Sequence, residues 1–197
     1  MDLKTTVKNL NIEELEYARV CVLQNAQSLY KEALLLESHD FYARAYTLAH
    51  ICNEELSKLP MLVGIAMDVV NGEAIDWKVF NKRISSHIKK INFMNVENYL
   101  NSEIRSDDSD FRDFQDALTS APQLNTYKNN SLYAGVVDNK FTQPNHLFDQ
   151  TKVRELLVKL TERLSYYESV ESQTVGKIAQ AKSSLNLRKI AKKPFNK

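Results

Sequence analysis

The chain has 197 residues, 43% of them hydrophobic, with only 4 Gly and 4 Pro, a composition typical of one helical globular domain with a sizeable core. Its formal net charge of +1 excludes recognition of nucleic acid by overall charge, so any RNA contact has to come from a local basic patch. Cys21 and Cys52 stand in apolar helical patterns and indicate neither a disulfide framework nor a zinc site.

The N-terminal region predicts a long first helix. Asn11 followed by Glu14 forms a capping-box pattern, and the helix that it opens runs to about Ser38. Asn25 lies beside the inner face, where it either hydrogen-bonds a polar cluster or sets the helix register. The inner face itself consists of Leu15, Ala18, Val22, Ala26, Leu29, Ala33 and Leu36.

Two further helices follow, and each carries one ionisable residue in an apolar seam. Asp40 is expected to cap the second helix and Pro60 to kink or interrupt it, while Asn71 and Gly72 end its apolar continuation. Asp76 is expected to cap a third helix that reaches about residue 95. The two seams are Ala45, Leu48, Cys52, Glu55, Leu59 and Leu62, then Trp77, Phe80, Ile84, His87, Ile91 and Met94.

The two interruptions, Glu55 and His87, predict a polar site shared by these helices. A carboxylate or an imidazole that faces a core costs free energy unless it is paired or hydrogen-bonded, so we expect the two side chains to face each other. Neighbouring helical positions add Glu54, Lys58, Arg83 and Lys90. The alternative interpretation is a buried ion-pair network that only fixes helix register, or long side chains that extend to solvent.

From residue 96 to 150 the helical signal weakens, and an irregular insertion is expected. Ser109 or Asp110 caps a short helix that Pro122 ends. The Asn-rich stretch from Leu124 to Leu147 has the composition of a loop, and a loop of this length is usually functional or disordered. Its apolar YAGVV segment alternatively forms a short strand or a packed turn.

A last long helix begins near Thr151, with Val153, Leu157, Leu160, Leu164 and Tyr167 on its inner face. Gly176 is expected to break it, and the basic end from 188 to 197 is expected to be frayed. The whole chain, 1–197, is therefore predicted to be a single all-α domain, an antiparallel bundle of about five helices with a long loop before the last one.

Several chemistries have no pattern in the sequence. There is no Gly-rich phosphate loop, no GxSxG elbow and no HExxH pair, and the carboxylates do not combine with histidines in a metal-ligand spacing. No cofactor and no metal are therefore expected. Neither a signal-peptide pattern nor an apolar run of membrane-spanning length is evident, so we expect a soluble, cytoplasmic protein that does not engage a membrane.

The order of several short elements resembles the AbiV family of bacterial abortive-infection proteins. Those elements are Asn25-Ala26 in an alanine-rich first helix, Tyr42 to Ala45 at the start of the second, Glu54 to Lys58, Phe80 with Ser86, His87 and Lys90, and finally Lys128 with Ser131 to Tyr133. They span residues from about 15 to 165. The resemblance implies antiphage defence by abortive infection, with translation arrested through RNA cleavage or RNA binding at the Glu/His/Arg/Lys site of the second and third helices.

The AbiV family in turn resembles the HEPN superfamily, all-helical proteins of which many are metal-independent ribonucleases that work as dimers. Their signature is an Arg followed, after four to six residues, by a His. In this chain three residues separate Arg83 from His87, and Ile84 follows the Arg. The resemblance implies an endoribonuclease, a homodimer with RNA as substrate and a phage-encoded protein as trigger. The short spacing favours a rival, a non-catalytic binding module that blocks a phage or translation component through its dimer surface, or a helical scaffold without chemistry.

The resemblance also implies roles for individual residues. His87 is the candidate acid or base, Arg83 the candidate that stabilises charge at phosphorus, and Glu55 the group that orients His87 or pairs with a cation. A second subunit or the segment from Lys128 to Tyr133 would exclude water. The candidate substrate-binding residues are Lys58, Lys90, Glu54, Lys128 and Tyr133.

Overall fold

The structure, a computed structural model, describes residues 6–100, 112, 115–116 and 119–178. Its helices are α1 (Ile12–Ser38), α2 (Tyr42–Leu56), α3 (Lys58–Val70), α4 (Trp77–Ser85), α5 (His87–Leu100), α6 (Ala121–Leu132) and α7 (Gln150–Thr174). Between α6 and α7 lie two short strands, β1 (Gly135–Val137) and β2 (Lys140–Thr142), and a 3₁₀ turn, Pro144–His146. The predicted all-α class is confirmed, and so is a long connection before the last helix.

Helix α2 lies at the centre of the bundle, packed between α1 and α7. The inner face predicted for α7 is buried in full, because Leu and Val recur there at helical spacing. The small side chains of α1 and α2 let these two helices approach closely. The core that they share with α7 consists of Ala26, Ala33, Ala45, Ala49, Cys52, Leu56, Val153, Leu157, Leu160, Leu164 and Tyr167.

Three of the predicted helix caps fall within the described residues, and two of these form. Asn11 and Glu14 make the reciprocal capping box that opens α1, and the Asp76 carboxylate accepts a hydrogen bond from the backbone N–H of Val79 at the start of α4. The predicted cap at Asp40 is wrong. Asp40 has a positive φ of 61° and belongs to the turn between α1 and α2, where it accepts a hydrogen bond from the Tyr42 hydroxyl.

The second predicted helix is interrupted, as expected, but at Ser57 rather than at Pro60. Pro60 falls in the first turn of α3, where the missing N–H needs no helical partner. The helix α3 then ends at Val70, and Gly72 follows with a positive φ of 66°, in agreement with the predicted stop at Asn71 and Gly72.

The predicted third helix is in fact two helices. Ser86 has extended backbone angles, φ −80° and ψ 117°, and separates α4 from α5. Its hydroxyl and its carbonyl accept from the backbone N–H groups of Lys89 and Lys90, as the N-cap of a new helix does. Because His87 is the first residue of α5, the expectation of one continuous third helix that carries both Arg83 and His87 is wrong.

The stretch predicted as a loop from Leu124 to Leu147 begins with a helix. Pro122 is the second residue of α6, so it lies in the first turn of a helix, where its missing N–H needs no helical partner. Tertiary contacts hold this helix in place, since the Ser131 hydroxyl lies 2.7 Å from that of Thr47 and the Arg44 guanidinium donates to the carbonyl of Leu132. The YAGVV segment supplies β1, which pairs antiparallel with β2 in the register Val136 opposite Phe141.

Most of the short helix expected after Ser109 lies outside the described residues, but positions 112, 115, 116 and 119 are described and are helical. The basic end from 188 to 197 lies wholly outside them. Within the described ranges, no helix combines the length and the apolar character that crossing a membrane requires.

Candidate functional site

A second face of α2 carries a row of buried polar side chains toward α5 and α6. Thr47, His50 and Glu54 follow one another at helical spacing, and all three are nearly inaccessible to solvent. The opposite face of the same helix forms the apolar core with α1 and α7. A helix buried on both sides has to satisfy its polar groups through its neighbours, and α5 and α6 provide the partners.

Glu54 is the centre of this polar row, and its carboxylate is only 2% exposed. One oxygen, Oε2, lies 2.9 Å from Lys90 Nζ and 2.5 Å from His87 Nδ1, both on α5. The other, Oε1, lies 3.5 Å from Lys128 Nζ on α6 and 3.6 Å from His50 Nε2 on α2. Three helices therefore direct basic groups at one buried carboxylate.

The expectation that Glu55 faces His87 is wrong, because the neighbouring residue Glu54 does so. The Glu55 carboxylate pairs with Lys58 and accepts a hydrogen bond from Asn25 at 3.1 Å. Asn25 thus does bond a carboxylate, although not the one at the centre of the cluster. The two adjacent glutamates point in different directions because consecutive residues on a helix differ by about 100°.

The cluster is formally cationic. Lys90 and Lys128 together carry two positive charges against one negative charge on Glu54. Burial would raise the pKa of Glu54, but the hydrogen bonds and charges of Lys90 and then of His87 outweigh it, so the pKa of this carboxyl lies below its ordinary value. Glu54 is therefore ionised at neutral pH, and the group as a whole keeps a net positive charge.

His50 is neutral at physiological pH. Burial lowers its pKa to about 4, and the nearby cations Lys128 and Lys90 add to that decrease, while Glu54 opposes it. Its Nε2 and Glu54 Oε1 are both buried and have no hydrogen-bond partner in the part of the chain that the structure describes. Hydrogen-bonding capacity is thus left over inside the cluster.

His87 is the exposed member, since 56% of its side chain is accessible to solvent. An ionised carboxylate only accepts hydrogen bonds, so Nδ1 of His87 carries a proton and donates it to Glu54. In the neutral imidazole Nε2 is then the free base. A carboxylate that fixes the tautomer of a histidine in this way is the arrangement by which enzymes prepare a general base.

The remaining candidate residues lie outside these contacts. The guanidinium of Arg83 stacks on Phe93 at 5.7 Å from the ring centroid, in a cation–π contact between α4 and α5. Tyr133 follows α6 and is 65% exposed. Of the eight residues predicted for the site, the structure brings together Glu54, His87, Lys90 and Lys128.

Sequence reasoning missed the part that His50 plays in the cluster. The available signal is its spacing of four residues from Glu54, which places both on one face of α2.

A separate buried network between α1 and α7 was also not predicted. The Arg19 side chain is fully buried and binds both carboxylate oxygens of Glu171 at 2.9 and 3.0 Å, as well as Glu16 at 2.7 Å. No local pattern shows this pairing, because Arg19 and Glu171 are 152 residues apart. This clamp between α1 and α7 has the geometry of a structural element.

No metal-binding group is visible in the described residues, where no set of three or more His, Cys, Asp and Glu side chains could hold an ion. The basic groups around Glu54 are instead the kind that binds an anion, and the one carboxylate among them is already neutralised by lysines.

Comparison with known proteins identifies a family. The family model described as AbiV, of the HEPN_AbiV type, matches residues 14–165, which include every residue of the Glu54 cluster. No curated protein and no solved structure matches the chain significantly.

Proposed function

The chain belongs to the AbiV family of HEPN-type proteins, and on that premise we propose that it acts in abortive-infection defence by cleaving RNA at the Glu54 cluster. The observation that carries the proposal is the hydrogen bond at 2.5 Å between a buried, ionised carboxylate and an exposed histidine, beside two buried lysines. A phosphodiester supplies the negative charge that these cations lack. Translation arrest follows from the loss of RNA.

The chemistry requires no metal. His87 Nε2 takes the proton from a 2′-hydroxyl, and the resulting alkoxide attacks the adjacent phosphorus to give a 2′,3′-cyclic phosphate and a free 5′-hydroxyl. Glu54 stabilises the imidazolium that forms, through the hydrogen bond to Nδ1. Lys90 and Lys128 stabilise the charge that develops on the phosphoryl oxygens, and as point charges they need no bidentate geometry.

The leaving 5′-oxygen also needs a proton donor, a role that His87 of the same subunit does not fill while it acts as the base. His50 does not serve, since burial keeps it neutral with a pKa of about 4. We therefore expect a homodimer that places a second His87, in protonated form, against the same phosphate. Light scattering at micromolar concentration tests this point, and a monomer there contradicts it.

A second function is favoured by one specific surface. The hairpin exposes Val136 and Phe141, which are 61% and 86% accessible and stand opposite each other across the two strands. An apolar pair of this kind is typical of a protein contact. In this alternative the protein blocks a translation or phage component by binding it, and the Glu54 cluster only holds the fold. The predicted phage-encoded trigger is a further candidate for the same surface.

Phage infection of cells distinguishes the two functions. His87→Leu fills the helix position without a titratable group, and His146→Leu, at an exposed histidine in the 3₁₀ turn, is the matched control. The proposal predicts loss of phage protection and of translation arrest for His87→Leu, with both retained by the control. Protection by both variants would refute the site, and protection lost without any RNA cleavage by the wild type would support the binding module.

A further inference from the structure

A cleft of about 400 Å³ lies next to the Glu54 cluster, between α2, α6, the hairpin and the start of α7. Its size falls within the range of small-molecule sites. Three aromatic side chains line it: Tyr46 from α2, Tyr127 from α6 and Phe148, which precedes α7. Asn130, Lys152 and Lys159 add an amide and two ammonium groups.

Two of the aromatic side chains, Phe148 and Tyr46, pack on each other, and the third, Tyr127, is exposed. Phe148 is 5% exposed and packs on Tyr46 with ring centroids 4.6 Å apart, while Tyr127 is 44% exposed. Burial raises the pKa of Tyr46, and Tyr127 adds to the rise, so Tyr46 presents a neutral phenol next to the second tyrosine. The cleft thus presents a packed aromatic pair, Phe148 with Tyr46, and one accessible ring, that of Tyr127.

The cationic groups sit at the same cleft. The ammonium group of Lys152 lies 5.9 Å from the Phe148 ring centroid. It also donates a hydrogen bond to the carbonyl of Leu147 at 2.8 Å, and this bond holds it above the Phe148 ring. Lys159 lies two turns further along α7 and is exposed. With Glu155 as the acidic lining residue, the cleft carries a formal charge of +1.

The cleft and the Glu54 cluster are built on the same two helices, α2 and α6. On α2, Tyr46 is followed by His50 and then by Glu54, and the rings of Tyr46 and His50 stack at 6.3 Å. On α6, Tyr127 in the cleft is the neighbour of Lys128 in the cluster. Tyr46 and Glu54 are eight positions apart, which corresponds to about 12 Å along the helix axis.

From this arrangement we infer that the cleft is a base-binding subsite for single-stranded RNA, which rests on the function proposed above. A base stacks on the aromatic side chains, the Asn130 amide meets its edge, and Lys152 or Lys159 neutralises the phosphate of that nucleotide. A phosphate further along the same strand then meets the cluster at His87, its exposed member. An aliphatic ligand would gain nothing from the two lysines or from the amide.

Binding measurements test this subsite. The probes are a fluorescein-labelled single-stranded RNA 12-mer and uridine and adenosine 5′-monophosphates, titrated into the full-length protein by fluorescence anisotropy and by calorimetry. Tyr127→Leu and Lys159→Gln remove a stacking ring and a charge, and Tyr17→Leu and Lys31→Gln are exposed controls on α1.

The inference predicts that Tyr127→Leu weakens binding of the RNA and of at least one mononucleotide by about tenfold, while both control variants bind as the wild type does. RNA binding that depends on Lys90 but is unchanged in Tyr127→Leu would overturn the subsite and leave the proposed function intact. A wild-type protein that binds neither RNA nor a mononucleotide would overturn both.

Discussion

Replacement of Glu54 by Gln is the substitution whose effect on stability the structure defines best. The side chain keeps its size and loses its charge, so the buried ammonium groups of Lys90 and Lys128 lose their counter-charge. Removing one partner of a buried ion pair costs about 3–5 kcal/mol, and for a domain of this size each kcal/mol lowers Tm by about 2–4 °C. We therefore expect Tm to fall by about 6–20 °C.

Glu55→Gln is the matched control, because it makes the same chemical change at the next residue. Glu55 pairs within one turn with Lys58, whose side chain is 21% exposed, so the lysine can remain hydrated when its partner is lost. The expected cost is about 1 kcal/mol. Thermal unfolding followed by circular dichroism at pH 7 gives both values. Equal Tm values for the two variants would show that Glu54 does not hold the cluster together.

A double variant separates the loss of the pair from other effects of the substitution. Adding Lys90→Met to Glu54→Gln removes one of the two uncompensated charges, so part of the lost stability is expected to return. If Lys90→Met instead lowers Tm by the same amount in both backgrounds, Glu54 and Lys90 are energetically independent and the assignment is wrong.

Three further results are expected. The pKa of His50 is about 4 in the folded protein against 6.5 in the unfolded chain, so the unfolded state binds more protons between these two pH values. The free energy of unfolding therefore falls by about 3 kcal/mol as the pH drops from 6.5 to 4. Urea unfolding across that pH range measures this loss, which is expected to be smaller in His50→Gln. Arg19→Leu leaves the Glu171 carboxylate buried without its cation and costs about 3–5 kcal/mol of unfolding free energy, as denaturant titration measures. Phe141→Ser, at an 86% exposed position, leaves Tm unchanged; if it abolishes phage protection while RNA cleavage persists, the hairpin is a contact surface for a partner.

The apolar patterns of the sequence predicted most of the fold. The inner face of α7 follows from Val153, Leu157 and Leu160 because large aliphatic residues at helical spacing have one way to face a core. The capping box of α1 could be predicted for a similar reason, since it depends on residues three apart. Local patterns of this kind need no knowledge of distant parts of the chain.

Which residues of α2 face the core with α1 and α7 could not be predicted from the apolar pattern alone. Two seams through this helix are almost equally apolar, one passing through Leu48 and Glu55 and the other through Ala49 and Leu56. The structure uses the second, because small side chains allow close packing on α1. Because of that difference of one residue, the carboxylate at the centre of the cluster is that of Glu54 and not, as the sequence predicted, that of Glu55.

The other gaps are effects of tertiary structure. The sequence of α6 has Asn at three positions and a low intrinsic preference for helix, so its helical state depends on contacts with α2 and α5. Lys128 was therefore expected on a loop. The break at Ser86 similarly depends on one capping residue within a continuous helical pattern. Because of this break, His87 lies on a different helix from Arg83.

The most direct test of the RNA-cleavage claim uses purified protein and a labelled single-stranded RNA without added metal, in the presence of a chelator. We expect that the wild type produces fragments with 2′,3′-cyclic phosphate and 5′-hydroxyl ends, that His146→Leu does the same, and that His87→Leu produces none while its Tm stays close to that of the wild type. Fragments released at the same rate by His87→Leu, or cleavage that stops when the chelator is added, would contradict it.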